Sequence, residues 1–244
     1  MGQNFVNALT STLNAYTWAY FLVVIAFLAS LLAQIHVKFV YSRYDRVPSR
    51  RGLTAEQAAQ AVLNYYGIRN VQIRPISGRL TDNYDPRSNI ISLSQSTYGH
   101  TSIAAIGVAC HEAGHAAQHA QGYVPIKLRN ALIPVCNLGS HLGIPLALVG
   151  MFIPNHIGTE LILIGLALYG FIAVFQFATL PVEFNASRRA LKVIQETGLL
   201  GDRERRGARQ VLVAAAMTYV VAVAAALADL LRLIVLFLGA RREE

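Results

Sequence analysis

Charge is what this sequence has least of. Only 14% of its 244 residues are charged, against about 25% in a soluble domain, and Met1 to Val37 contains no Asp, Glu, Lys or Arg. The deficit excludes an ordinary soluble surface. Cysteine is nearly missing as well. Cys110 and Cys136 both sit in apolar surroundings and read as small buried hydrophobes, which excludes a secreted disulfide framework. No basic stretch precedes the first apolar run, so a cleaved signal peptide would have no n-region. Internal repeats and low-complexity linkers are lacking too. Basic residues outnumber acidic ones, 21 to 13, for a net charge of +8. No recognition module accompanies them, so nucleic acid is not an expected partner. They gather beside apolar runs instead, as membrane topology demands.

What is present is apolar sequence in four long blocks. Trp18–Ala33 is almost unbroken and opens with Tyr16, Trp18 and Tyr20 as an interfacial aromatic group. Ala131–Ile153, Ile157–Leu180 and Val211–Leu238 are each long enough to cross a bilayer. Lys38, Arg43, Arg46, Arg50 and Arg51 follow the first block, so that span runs from outside to inside. Only Pro154, Asn155 and His156 separate the second and third, which makes them a hairpin with an uncharged tip. Its other ends carry Lys127 and Arg129, then Arg188, Arg189 and Lys192, so it enters from the cytoplasm and returns there. The basic segment Glu196–Arg209 is expected on the same side. The last span then leaves Arg241 and Arg242 outside, partly offset by Glu243 and Glu244.

Between the first two blocks lies one polar segment. Thr54 and Gln57 form a capping box for a helix over Ala55–Tyr66 that stops at Gly67. Val71–Ile76 alternates as a half-buried strand does. Leu80–Ser88 is turn chemistry, in which Asp82 and Asp85 read as turn residues rather than calcium ligands. Asn89–Ser94 reads as a second strand. Thr101 or Ser102 then caps a helix carrying Ala104 through His119.

That helix bears His111-Glu112-Ala113-Gly114-His115, an H-E-x-x-H pattern. The i, i+4 spacing brings both imidazoles to one face, where each reaches a single zinc at about 2.0–2.1 Å. Glu112 lies about 100° round the helix and can act as general base on water beside the metal. A catalytic zinc needs a third protein ligand and an open position. His119 continues the four-residue spacing, but one more turn carries it about 6 Å along the axis, out of reach of the same ion. It is expected on the helix face or behind a ligand. Glu183 is the better candidate, standing at the cytoplasmic end of the third span where Pro181 can start a new helix. The alternative for Glu183 is an interfacial carboxylate neutralised by Arg188 or Arg189.

Three stretches carry a family resemblance: L-T-D-N-Y-D-P at 80–86, A-A-I-G-V-A-C-H-E-A-G-H-A-A-Q-H at 104–119, and F-A-T-L-P-V-E-F-N-A-S-R-R-A at 177–190. In combination they resemble the YugP-like neutral zinc metallopeptidases of bacterial membranes, across nearly the whole chain. The layout is also similar to that of the CAAX prenyl proteases and the related bacterial heat-shock membrane protease. There a membrane hairpin follows the zinc helix and the glutamate of E-x-x-x-D supplies the third ligand. The resemblance implies ligand roles for His111, His115 and Glu183, a base role for Glu112, and Zn2+ as cofactor. One departure matters: Ser187 stands four residues after Glu183 where those relatives have Asp. That Asp resembles a partner for a ligand histidine, so Ser187 replaces it only in part and Asn185 is a further candidate to orient an imidazole.

The expected fold class is a mostly α membrane protein of about four transmembrane helices with a small α+β zincin-like metallopeptidase domain. Its parts are an N-terminal anchor over 1–42, a peptidase domain over 43–130, a transmembrane hairpin over 131–180, a third-ligand helix with a basic segment over 181–210, and a final span over 211–244. Asn89–Ser94 is expected either as an edge strand that binds extended substrate by strand addition or as an ordinary sheet strand. His100, Tyr98, Tyr123, Asn185 and Arg188 are unranked oxyanion candidates. Asn137 and His141 lie one turn apart in the second span, before a kink at Pro145, and either line a wet path or bond between helices. Asp229 and Arg232 read as an ion pair in the last span. The expected activity is hydrolysis of peptide bonds in a protein or peptide substrate, at the cytoplasmic face of a bacterial cell membrane crossed several times. A zinc sensor or carrier using the same histidines is the rival reading, against which Glu112 argues. Oligomeric state is left open.

Overall fold

The computed structural model describes the backbone of residues 2–240 and the side chains of residue 14 and residues 16–237. Arg241, Arg242, Glu243 and Glu244, expected outside the membrane, lie outside the described residues. Four long helices carry the apolar blocks: α1 (Gly2–Asp45), α4 (Val124–Met151), α5 (His156–Glu196) and α6 (Asp202–Ala240). All four are long and apolar enough to cross a membrane. Hydrocarbon offers backbone groups no partners, so a crossing segment must satisfy them internally, which a helix does. Large side chains such as Phe27 and Leu32 stay two-thirds exposed, a surface suited to lipid. The chain is thus a mostly α membrane protein with a small α+β region.

The chain divides into two compact units. One comprises Ala33–Lys127 and Thr179–Thr218. It holds α2 (Ala55–Tyr65), a three-stranded sheet of β1 (Gln72–Ile76), β2 (Asn83–Asp85) and β3 (Ile90–Ser94), and α3 (Ile103–Ala120). Gln57 Oε1 accepts from the Thr54 N–H at 3.1 Å and so starts α2. Of the two cap candidates for α3, Ser102 serves: its Oγ accepts from the Ala105 N–H at 3.1 Å. Val62, Leu63, Ile91, Leu93 and Ile106 are wholly buried at the centre of this unit.

The sheet order is β1-β3-β2, with β1 parallel and β2 antiparallel to β3. β3 is therefore the central strand, with both edges paired, and the strand-addition reading of 89–94 does not hold. The strand that sequence missed is β2, inside the stretch read as turn. The Asp82 carboxylate takes hydrogen bonds from the Ser94 N–H at 2.7 Å and the Ser94 hydroxyl at 3.0 Å, tying the loop to β3. Asp85 does act as a turn residue, accepting from the Arg87 N–H and the Ser88 hydroxyl, which hold its carboxyl below the usual range. β1 is more exposed than its alternation suggests, with only Ile73 half-buried.

The other unit takes the remaining parts of the spans, including Leu128–Ala178. Here α4 and α5 pack closely through small residues: a Cβ on Gly139 would fall 2.2 Å from the Leu168 carbonyl oxygen, and one on Gly165 2.5 Å from that of Gly143. Asn155 Oδ1 accepts from the Ile157 N–H at 2.9 Å in the link between them. Asp229 pairs with Arg232 at 2.6 Å and also accepts from the Tyr169 hydroxyl. Asn137 and His141 are exposed on α4, and the Cys136 thiol donates to the Phe171 carbonyl at 3.3 Å.

Pro181 does not start a helix. It lies inside α5, which runs unbroken from the span to Glu196. A proline costs a helix one N–H bond and a steric clash, a cost that membrane helices tolerate where neighbours satisfy the freed groups. Glu183 is therefore a mid-helix residue, not one near a helix start.

Candidate metal centre

α3 presents His111, Glu112, His115 and Gln118, and α5 presents Glu183, Asn185, Ser187 and Arg189. The two helices meet where Gly114 faces Ala186: a Cβ there would lie 2.6 Å from the Ala186 carbonyl oxygen. Only glycine permits that approach. It brings Glu183 Oε2 to 3.2 Å from His111 Nε2 and 3.6 Å from His115 Nε2. The three donor atoms all lie within 4.8 Å of one another, and among the described residues this is the group of His, Cys, Asp and Glu that could hold a metal. Ligands at about 2.05 Å in a tetrahedron stand about 3.3 Å apart, and the two separations from Glu183 to the imidazoles bracket that figure. The donor set therefore fits zinc.

The back of each imidazole is also fixed. His111 Nδ1 lies 3.1 Å from Ser187 Oγ, so serine occupies the place that sequence could fill only in part. His115 Nδ1 lies 3.0 Å from Gln118 Oε1. Gln118 is wholly buried, and its Nε2 donates to the Val182 carbonyl at 2.7 Å and to Asn185 Oδ1 at 3.0 Å. Arg189 Nε donates to the same Asn185 oxygen at 2.7 Å. A guanidinium can only donate, so the order of donors is set from Arg189 inward. Asn185 presents its oxygen, Gln118 presents NH2 to Asn185 and oxygen to His115, and His115 carries its proton on Nδ1. Its Nε2 lone pair is left facing Glu183. Asn185 thus reaches the imidazole through Gln118 and not directly. Sequence reasoning missed Gln118; its one local signal is its place three residues beyond His115.

Glu112 is buried between the two histidines on the chain, and among the described residues no hydrogen bond occupies its carboxylate. Burial pushes that carboxyl up from the usual range, against the opposing pull of the His115 and His111 rings. For His115, burial disfavours the charged ring, yet the nearby Glu183 and Glu112 carboxylates outweigh it and the net shift is upward. Cys110, one residue before the motif, is fully buried with its thiol pushed up to about 12, a packing residue without nucleophilic character.

The other candidates fall elsewhere. His119 is exposed and its ring meets Tyr84 edge-on at 6.2 Å, on the β2 side of α3. Arg188 is exposed. Tyr98 lines a separate groove with Glu56 and Gln60, and His100 is exposed in the turn before α3. Tyr123 stacks under the Arg189 guanidinium at 5.8 Å.

Against known proteins, residues 19–238 match the model of a family described as "Putative neutral zinc metallopeptidase". The chain belongs to that family. Zinc is accordingly the metal that membership in the neutral zinc metallopeptidase family implies. The chain is also 40% identical over 223 residues to "Putative membrane protease YugP" of Bacillus subtilis (strain 168), covering 91% of this chain and 98% of that relative. No solved structure matches it.

Proposed function

We propose that the chain is a membrane-embedded endopeptidase in which His111, His115 and Glu183 hold the zinc and Glu112 is the general base. The observation that carries this reading is the convergence of two imidazoles and the Glu183 carboxylate, all within 4.8 Å of one another, beside the buried Glu112, whose carboxylate has no hydrogen bond among the described residues. A zinc ion held there supplies Lewis-acid chemistry, lowering the pKa of water toward about 7 and polarising a carbonyl. Glu112 takes the proton of the attacking water and delivers it to the leaving amine nitrogen. No residue becomes covalently attached to the peptide. Gln118 keeps the His115 proton on Nδ1 and its Nε2 available, and Ser187 holds the His111 ring through Nδ1. The basic residues from Lys38 to Arg51 and from Arg188 to Arg209 support a cytoplasmic active site in a bacterial cell membrane.

Zinc content of the detergent-purified protein tests the ligand set. Wild type carries about one zinc per chain, and His111→Ala and Glu183→Ala each lose most of it. Undiminished zinc in Glu183→Ala removes that residue from the set. Gln118→Leu is expected to weaken zinc by about 10- to 100-fold, as loss of a partner behind a ligand histidine does. Gln118→Glu, which keeps an oxygen for His115, recovers part of the affinity in a competition titration with a chelator. Equal zinc affinity in all three proteins would show that the Gln118 contact orients nothing.

A further inference from the structure

Ser187 also borders a groove of about 480 Å³ between α5 and α6. α5 contributes Phe184, Arg188, Leu191, Lys192 and Gln195, a single helical stripe at i, i+4, i+7, i+8 and i+11. α6 contributes Arg209, Leu212, Val213 and Ala216, again one stripe. Three cations line the groove and no carboxylate does. Among the described residues Arg188 and Arg209 have no hydrogen bond or ion pair, while Lys192 reaches Glu196 at 3.9 Å on the exposed side.

The groove is polar at one end and apolar at the other. Five residues link α5 to α6, and the Arg205 guanidinium donates to Gln195 Oε1, so the helices run antiparallel. Gln195, Lys192 and Arg209 therefore stand near the link. Phe184, Val213 and Ala216 stand toward the apolar blocks of the two spans. Phe184 and Val213 are left 39% and 46% exposed, open to an apolar occupant. An extended peptide would need main-chain partners along its whole length, and the groove's neutral polar side chains are only Gln195 and Ser187. Ser187 is already engaged by His111.

We propose that this groove binds an anionic phospholipid, its phosphate against Arg188, Lys192 and Arg209 and an acyl chain against Phe184, Val213 and Ala216. The site matches the recurring use of basic pockets beside transmembrane helices for lipid headgroups.

Native mass spectrometry of the full chain in a neutral detergent, titrated with phosphatidylglycerol and separately with phosphatidylcholine, tests the proposal. One phosphatidylglycerol is retained in preference to phosphatidylcholine. The triple variant Arg188→Gln, Lys192→Gln, Arg209→Gln weakens it on the order of a hundredfold, about fivefold per cation. A control triple with the same charge change, Arg69→Gln, Arg79→Gln, Arg87→Gln, leaves it within about twofold. Val213→Asp, which alters the apolar end without removing a cation, weakens it as well. Equal retention of the two lipids overturns the proposal, as does equal weakening by the control triple. An acidic peptide that binds the wild type and is not displaced by phosphatidylglycerol overturns it in favour of a peptide groove.

Discussion

Glu112→Gln is expected to lower peptide turnover by about 10²- to 10⁴-fold while leaving about one zinc per chain. Glutamine has the shape of glutamate and fills the same buried space, so the packing of α3 is undisturbed. What it lacks is a basic oxygen able to take a proton from water. Zinc is expected to stay, because the three convergent donors of the proposed site belong to His111, His115 and Glu183 and not to residue 112. The two halves of the result therefore discriminate between functions. A zinc carrier or sensor would keep its behaviour in this variant, since storage requires no base. Turnover of a fluorogenic peptide set, measured with zinc content on the same samples, makes the comparison. Full activity in Glu112→Gln sinks the general-base assignment; loss of zinc along with activity means that Glu112 supports the metal and not the proton transfer.

The second large effect comes from a single methyl group. Gly114→Ala places a Cβ 2.6 Å from the Ala186 carbonyl oxygen, where a relaxed carbon–oxygen contact lies at roughly 3.3 Å. The obstacle is backbone on a long helix and cannot rotate away, so α3 and α5 must separate by roughly 0.7 Å or bend. Overpacking of this kind costs about 1–3 kcal/mol, which lowers the thermal midpoint. It also widens the gap between Glu183 and the two histidines, because Gly114 lies between those histidines on α3 and Ala186 lies three residues after Glu183 on α5. Zinc affinity should fall more steeply than stability, since metal sites tolerate only about 0.2 Å of ligand displacement. Thermal unfolding and a chelator titration on the same protein separate the two effects. A variant with unchanged affinity and midpoint would mean that the helices do not approach as closely as described.

Much of this arrangement was legible in the residues, for physical reasons that can be named. H-E-x-x-H declares its own geometry, because a four-residue spacing on a helix fixes which side chains share a face. Long apolar blocks declare spans because lipid imposes length and composition together. Ser102 and Gln57 declare helix starts because capping is local. The misses are non-local. β2 looked like turn, since three residues in a run of Asp, Asn and Pro carry no periodicity; it becomes a strand because Asp82 reaches twelve residues ahead to Ser94. Pro181 looked like a helix start because the local rule is blind to a span already under way. Gln118 looked like one more polar residue on α3, and its partners Val182 and Asn185 stand 64 and 67 residues further on. Glu183 was reached through resemblance more than through pattern, since a lone carboxylate at the end of a span has an ordinary reading as well.

The division of the metal centre between α3 and α5 has a consequence for biosynthesis. His111 and Glu183 are 72 residues apart, and the whole α4 hairpin arm lies between them. At about 5–20 residues per second, a ribosome that has just placed His111 needs roughly 4–14 s to reach Glu183. Until then the nascent chain holds two of the three proposed donors and no Ser187 beside His111. On the proposed ligand set, the three donors cannot come together before α4 and the first part of α5 have been made.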